Sequence, residues 1–200
     1  MKQSILALAV RKAFGKVYKG VRTHDISFGF RMGAGFPGDV NRVHPFSIVA
    51  GLVDTAIQSP RLYGDPVLIN TATNAYRGIT TTDTSTLNVD GVAVRPYPTQ
   101  QQTGGMTSTL GVAAPPTNLP LDVLEDGFIM ATCHNLSGST TLPTKKGAVY
   151  VYTAASSGNH VQGGLESASG ANLTLISNMV WWGPADANGI AELRVLALAS

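Results

Sequence analysis

The chain has 200 residues, of which 13% are charged, and it carries a net charge of +2 and a single cysteine, Cys133. Ordinary soluble proteins have about a quarter of their residues charged, so this surface is unusually neutral and suited to close contact with other protein. One cysteine excludes an intrachain disulfide and a thiolate-rich metal site, and no apolar run approaches the roughly 20 residues of a membrane-spanning helix.

The first 32 residues are predicted to form a short basic helix or arm. Residues 1–31 contain seven basic residues and one acid, a net of +6, whereas the remainder has seven basic residues and eleven acids, a net of −4. Apolar residues from Leu6 to Val21 recur three or four positions apart, which is the period of an amphipathic helix. Such an arm is expected to meet an acidic surface or nucleic acid, and a solvated helix face is the alternative. The basic residues off the apolar stripe are Arg11, Lys12, Lys16 and Lys19.

The stretch from Gly33 to Gly38 reads G-x-G-x-x-G, the pattern of the phosphate-binding turn in dinucleotide-binding folds. That turn functions only where a buried strand enters it and a helix leaves it. Here Pro45 follows soon after Gly38 and disfavours a helix before it, so no phosphate-binding helix of useful length is expected. The motif therefore predicts a loop and no nucleotide cofactor.

Residues 33–66 are predicted to form a proline- and glycine-rich extended segment. One short helix is predicted inside it, from Phe46 to Gln58. The segment is punctuated by Pro37, Pro45, Pro60 and Pro66.

Residues 67–200 are predicted to form an all-β body. Strands are indicated by the apolar runs Gly127–Cys133, Gly147–Ala154, Leu173–Trp182 and Ile190–Leu198, and by "PVLIN" at the start of the body. The last two runs are expected to pair across a loop that contains Asn188-Gly189. Several strands separated by glycine- and proline-rich turns, without a βαβ pattern, favour a sandwich or a barrel.

A β-hairpin is predicted around Asp90-Gly91. This pair is preferred in two-residue type I′ turns because both positions require positive φ. The turn would place Val89 opposite Val92 and Leu87 opposite Val94, with all four side chains on one buried face.

No set of residues suited to catalysis is apparent. The four histidines, His24, His44, His134 and His160, are scattered without helical spacing. Cys133 and His134 are neighbours on a predicted strand, so their side chains point to opposite faces. Asp186-Ala187-Asn188-Gly189 resembles part of a calcium loop but lacks the bidentate glutamate, which favours a turn. The sequence therefore predicts no enzyme, no metal and no cofactor.

The adjacent Trp181 and Trp182 are candidates for an interaction surface. On a strand the two rings face opposite ways, so one can fill the core while the other faces outward as an interface residue. The alternative is that both are covered inside the fold. Stacking on single-stranded nucleic acid is disfavoured, because the interleaved basic and aromatic residues of such grooves are missing.

A series of short blocks resembles, in order, the cement (decoration) proteins of tailed-bacteriophage heads. The likeness runs from about residue 33 to 198, and the residues before Gly33 do not match the family's core. The blocks are "AGFPGDVNR", "YGDPVLIN", "GVAVRPYPT", "DVLEDGFIMA", "KKGAVYVYTA" and "PADANGIAELRV".

The resemblance implies a non-enzymatic, jelly-roll-like subunit on the outer surface of a phage head, made in the host cytoplasm. It implies that the protein joins neighbouring major capsid protein subunits, opposes internal DNA pressure and associates with itself as a dimer or trimer. It implies no membrane partner and no specific nucleic acid. The expected interface residues are Phe36, Pro37, Asp39, Arg42, Trp181 and Trp182, with further contacts from the basic leader. The alternative is a receptor- or glycan-binding module of a phage fibre, with Tyr150, Tyr152, Trp181 and Trp182 lining a concave site.

Overall fold

The computed structural model of the chain describes residues 35–40, 46–54, 59–96, 115, 120–136 and 142–197. All of them belong to the compact unit Gly33–Ser200. The predicted basic helix, its four basic residues and Arg42 lie outside the described residues. In the described part of the chain no helix is long and apolar enough to cross a membrane.

The described elements are nine β-strands in one antiparallel sheet that curls into a half-barrel. The order of neighbours is β3-β2-β4-β5-β9-β8-β6-β7, and β1 pairs with β5 outside this path. The strands are β1 (Ser47–Leu52), β2 (Pro66–Asn70), β3 (Ala75–Arg77), β4 (Gly91–Ala93), β5 (Pro120–Thr132), β6 (Gly147–Tyr152), β7 (Leu165–Glu166), β8 (Leu173–Trp181) and β9 (Ile190–Val195). The all-β prediction is confirmed, whereas the jelly roll is not, because the described strands form this single curled sheet.

β5 is the strand around which the sheet is organised. Its first half, up to Asp126, pairs with β1 along one edge and with β4 along the other. Its second half, from Gly127 onward, pairs with β9. Gly127 stands at this junction with a φ of 139°, a conformation that L side chains rarely adopt. Glycine permits this local change of backbone direction, and β5 can therefore serve two sets of neighbours.

The helix predicted at Phe46–Gln58 is wrong in its described part, which contains β1. The stretch "SIVAGL" pairs with β5 in a register that runs from Ile48 opposite Leu124 to Leu52 opposite Pro120. A short apolar run fits a helix or a strand equally well by its spacing, and the hydrogen-bonding partner decides between them. That partner lies far away in the chain. Residues 47–52 of the predicted extended segment are therefore part of the sheet.

The hairpin predicted at Asp90-Gly91 is also wrong. Gly91 begins β4, which pairs with β2 and β5 and not with the preceding residues, while Leu87 forms a bridge to Ile176. Neither Asp90 nor Gly91 has the positive φ that a type I′ turn requires. The expected burial is nevertheless confirmed, because all four apolar residues belong to the core: Leu87, Val89, Val92 and Val94.

Gly91 was expected to supply positive φ in a turn, but in the structure it is required for close packing. An ideal Cβ at this position would lie 2.4 Å from the Cγ1 atom of Val123 and 2.6 Å from the carbonyl oxygen of Leu124. The second of these contacts is with backbone and has little freedom to move. The absence of a side chain at Gly91 therefore allows β4 and β5 to pack as closely as they do.

Two apolar clusters cover the two faces of the central sheet. Val123 and Leu124 are neighbours on β5 and point to opposite faces, and each belongs to a different cluster. From β8 and β9, the larger cluster contains Ile176, Met179, Trp181, Ala191, Leu193 and Val195. The smaller one contains Val53, Tyr63, Val67, Tyr76, Ala93, Leu121 and Val123.

The other strand predictions are confirmed with shifted ends. "PVLIN" is β2, and the four long apolar runs contain β6, β8, β9 and the second half of β5. β8 and β9 pair as expected, with Met179 opposite Val195. In the loop between them, the carboxylate of Asp186 accepts hydrogen bonds from the backbone N–H groups of Asn188 and Ile190, each at 2.9 Å. The calcium-like fragment is therefore the turn that was predicted.

Substitution of Gly91 by alanine is expected to destabilise the protein by about 1–3 kcal/mol, because the added methyl group overpacks the contact between β4 and β5. Gly183→Ala is the matched control: no atom lies within 4 Å of its ideal Cβ, so its effect should stay within about 0.5 kcal/mol. Urea unfolding of both variants measures the difference. Equal midpoints for the two variants would contradict the steric role of Gly91.

Candidate interaction surface

The described residues contain no group of three His, Cys, Asp or Glu side chains placed to hold a metal ion. Cys133 is buried, and burial raises the pKa of its thiol to about 11, which disfavours the reactive thiolate. Its thiol lies 3.8 Å from the backbone carbonyl oxygen of His134. Burial lowers the pKa of His134, whose Nε2 atom has no hydrogen-bond partner. These properties belong to packed side chains rather than to a nucleophile and its base.

Asp65 is the buried carboxyl group with the clearest change in ionisation. It precedes β2, and one of its carboxylate oxygens accepts a hydrogen bond from the backbone N–H of Leu62 at 2.9 Å. Burial raises the pKa of Asp65 to about 7, and this effect outweighs the hydrogen bonds that favour the charged form. The folded protein therefore holds a proton on Asp65 over a range of pH in which an unfolded chain has lost it.

This difference predicts a loss of stability as the pH rises from about 4 to 7. The unfolded carboxyl ionises from its ordinary pKa upward, whereas the folded one ionises only near 7, so the free energy of unfolding falls by up to about 4 kcal/mol over this interval. Asp65→Asn keeps an oxygen acceptor for Leu62 and removes the titration. Urea unfolding at several pH values should show the variant gaining stability relative to the wild type as the pH rises. Parallel profiles would contradict the raised pKa.

Two of the aromatic residues considered for a glycan site are in the interior. Tyr152 is buried and stacks on the ring of His160, with 4.7 Å between ring centroids. His160 in turn places its Nδ1 atom 2.7 Å from a carboxylate oxygen of the buried Glu166. The indole N–H of Trp181 donates to the backbone carbonyl of Glu166 at 3.4 Å. Tyr152 and Trp181 thus pack around the half-buried His160 and the buried Glu166.

The described surface brings only part of the proposed aromatic set together. An open depression of about 270 Å³ is lined by Tyr150 and Trp181, but neither Tyr152 nor Trp182 reaches it. The prediction that all four aromatic residues line one concave site is therefore wrong.

Trp181 and Trp182 lie on opposite sides, as their alternation predicted. Trp181 is fully buried in the larger cluster, so its side chain is a core residue and cannot serve as an interface residue. Trp182 is half-buried and packs edge-on against Phe128, with 5.4 Å between ring centroids. The ammonium group of Lys145 lies 4.8 Å from the centroid of the Trp182 ring. The interface role of Trp182 stays a prediction.

The described part of the glycine motif is a loop, as predicted. The backbone N–H of Gly38 donates to the carbonyl oxygen of Met130 at 2.7 Å, and the N–H of Met130 donates to the carbonyl oxygen of Asp39 at 2.9 Å. Gly38 has a φ of 86°, and an ideal Cβ there would lie 2.6 Å from the Cβ of Tyr63. The glycine is therefore needed for a turn and a close contact, not for a phosphate.

The same loop presents Phe36 on the surface. Its side chain is 42% exposed, and the guanidinium carbon of Arg95 lies 4.7 Å from its ring centroid. The carboxylate of Asp39 accepts a hydrogen bond from the backbone N–H of Phe36 at 3.2 Å, which fixes the turn. Pro37 is buried and supports the loop from below. Phe36 is the member of this predicted group that offers an exposed apolar side chain.

The largest concentration of exposed apolar side chains lies on and just before β1, where the sequence reasoning did not place it. Nine large apolar side chains of the described residues are exposed, and four of them lie between positions 46 and 52. They are Phe46, Ile48, Val49 and Leu52, with exposed fractions of 53%, 38%, 40% and 58%. We call these four residues the β1 patch. In the sequence, this patch corresponds to an uncharged run with the β-branched residues Ile48 and Val49. Because the run was predicted to be a helix, the patch was not predicted.

Both faces of β1 contribute to this patch. Ile48 and Leu52 lie opposite Leu124 and Pro120 and therefore share one face, while Val49 lies opposite Val123 on the other. Exposed large apolar side chains concentrated on one short segment favour a contact with another macromolecule. In the described residues, the surface feature that best fits an interaction is therefore the β1 patch.

Comparison with known proteins identifies the family of this chain. The family model of the XM1 gp53 minor capsid protein matches residues 26–195. The chain therefore belongs to the XM1 gp53 minor capsid protein family, a family of phage capsid-associated proteins. A chain from a solved structure entitled "The capsid of Myoviridae Phage XM1" has the same fold, with a TM-score of 0.57 and 19% identity over 84% of this chain and 93% of that one. No curated protein matches.

Family membership confirms the resemblance to capsid-associated phage proteins and supports a structural role in the virion. A structural capsid family implies a non-enzymatic role and association with other capsid components. The family match spans residues 26–195 and so overlaps most of the stretch from about residue 33 to 198 that carries the resemblance.

Proposed function

We propose that this protein binds the outside of a phage head and cements neighbouring major capsid protein subunits, which stabilises the head against the pressure of packaged DNA. The observation that carries the proposal is the β1 patch, on a chain that belongs to a structural capsid family. Exposed apolar side chains at such a density favour a protein that is permanently covered by a partner.

Cementing requires contact area and little else. A stable protein–protein interface buries about 1,200–2,000 Å² in total, and repetition over a shell multiplies the effect of each contact. A neutral surface suits this role, because few charged groups lose their water when it is covered. The rigid sheet around β5 then holds the contacting groups in fixed relative positions.

The loop at Phe36 and the surface at Trp182 are proposed as additional contacts. Each presents an aromatic ring with a cation beside it, and aromatic and Arg side chains are enriched in interfaces. Asp39 and Pro37 would act indirectly by holding Phe36 in place. Arg42 is proposed as a further contact on sequence grounds alone.

We also propose that the protein associates with itself as a dimer or trimer about a symmetry axis of the head, with the β-body supplying that contact. Most homo-oligomers close in this way, and a shell offers matching axes. The fibre-module alternative receives no support from the described surface, because its four aromatic residues do not line one site.

Heads that lack this protein are expected to assemble and to lose their DNA at a lower temperature than complete heads. Each missing contact removes part of the free energy that holds neighbouring subunits together against the internal pressure. Release of DNA during a temperature ramp, followed with a DNA-binding dye, measures the effect, and adding the purified protein should restore the original temperature. Heads of unchanged heat resistance would contradict the cement function.

The basic leader is proposed to add electrostatic affinity for the shell. Removal of residues 1–32 should weaken binding several-fold at low salt and lessen its salt dependence, because exposed charge pairs are screened as ionic strength rises. Replacement of Arg11, Lys12, Lys16 and Lys19 by Gln tests the charge separately from the length. Co-sedimentation with shells over a range of salt concentrations gives the measurement. Binding that is unchanged at every salt concentration would exclude a role for the leader.

A further inference from the structure

Among the described strands, none occupies the second edge of β1. β1 pairs with β5 along one edge, and no described strand pairs with the other edge between Ser47 and Leu52. A described contact with β3 follows just after the strand, where Val53 forms a bridge to Tyr76. An edge strand of this kind presents backbone N–H and C=O groups that can pair with another chain.

β1 lacks the charged and proline residues that often protect an edge strand, and its pairing with β5 has one register shift, between Ser47 and Ile48. Such strands usually carry Lys, Pro or an inward-pointing charge that prevents pairing with another chain. The stretch "SIVAGL" has none of these, and the apolar side chains of Ile48, Val49 and Leu52 are exposed. An uncharged edge with exposed apolar side chains on both faces is suited to a permanent partner.

The charges around β1 indicate the chemistry of that partner. β1 itself is uncharged, and the half of β5 beside it, residues 120–126, contains three acids and no base. Asp126 is paired with Arg194 at 3.1 Å, and Glu125 accepts a hydrogen bond from the hydroxyl of Ser47 at 3.4 Å. Asp122 is exposed on the face of Ile48 and Leu52. On the described β5 side, the β1 patch therefore has acidic neighbours in Asp122 and Glu125.

This acidity decides between two candidate occupants. A second copy of β1 would bring its own Asp122 and Glu125 to the new pair, since Asp126 is already paired with Arg194, and charges of the same sign near a shared surface disfavour pairing. A segment flanked by Lys or Arg would be attracted instead. The occupant favoured by the charge is therefore a different chain.

We infer that β1 receives an extended segment of another capsid chain as an added antiparallel or parallel strand, and that this segment has alternating apolar side chains and flanking Lys or Arg. The inference rests on the proposed function and names the surface that performs it. Backbone hydrogen bonds to the open edge provide affinity, as in other cases of strand addition. Apolar side chains of the added strand pack beside Ile48 and Leu52 on one face and Val49 on the other, while its basic residues lie near Asp122 and Glu125.

Two substitutions of Leu52 test both the location and the charge. The probe is a preparation of shells assembled without this protein, to which purified variants are added at low and moderate salt. Leu52→Lys should weaken binding at least about ten-fold, because it places a buried cation beside the basic segment. Leu52→Glu loses the same apolar contact but adds an attractive charge, so it should bind more tightly than Leu52→Lys, and the difference should shrink with salt.

Leu142→Lys is the matched control. Leu142 is exposed to the same extent as Leu52, 58%, and lies in the segment before β6 rather than on β1. It should bind shells like the wild type. Thermal unfolding of all three variants should match the wild type, because each replaced side chain is exposed and its loss leaves the core intact.

The outcomes separate this inference from the proposed function. Wild-type protein that fails to bind shells contradicts the proposed function and the inference with it. Wild-type protein that binds, together with a Leu52→Lys variant that binds equally well, overturns the inference alone. If Leu52→Lys and Leu52→Glu weaken binding to shells equally at low salt, the inference that the bound segment is basic is overturned. If Leu52→Lys changes the oligomeric state of the free protein in sedimentation velocity, the occupant is a second copy, and the inference is overturned.

Discussion

The conformation of β5 at Gly127 is the constraint on which the rest of the described sheet depends. Before this residue the strand holds β1 on one edge and β4 on the other, and after it the strand holds β9. A residue with a Cβ would be strained at the φ of 139°. Because β5 changes neighbours at this point, β1 lies beside it along a stretch where its outer edge meets no other described strand. The exposed strand is thus a consequence of how β5 is built.

Stability and contact are assigned to different parts of this sheet. The two clusters on its faces bury the side chains of the central strands, and the buried carboxylate of Glu166 is paired with the half-buried His160. Apolar residues that take no part in this core are concentrated at β1. Loss of a partner at β1 therefore leaves the core packed, and a protein of this design can fold first and bind afterwards.

The sequence predicted the composition of the core better than its connections. The pairing of β8 with β9 was predicted correctly, because two long apolar runs are joined by a short loop that contains the turn residues Asn188-Gly189. The hairpin prediction at Asp90-Gly91 is wrong because, in a sequence, a glycine required for close packing against Val123 cannot be distinguished from one required for positive φ. The residues of β1 were wrongly predicted to be helical because their partner strand, β5, is remote in the chain, and no local pattern reveals such a partner. The outward side of Trp182 followed from alternation alone, whereas the β1 patch required the sheet to be known.

An electron cryo-microscopy reconstruction of the intact phage head is the most direct measurement of whether this protein works through contact. The account predicts density for this sheet on the outer surface of the shell, across a seam between major capsid subunits, with β1 covered by a strand from another chain. Density for this sheet inside the shell, or on the outside with β1 facing solvent, would contradict it.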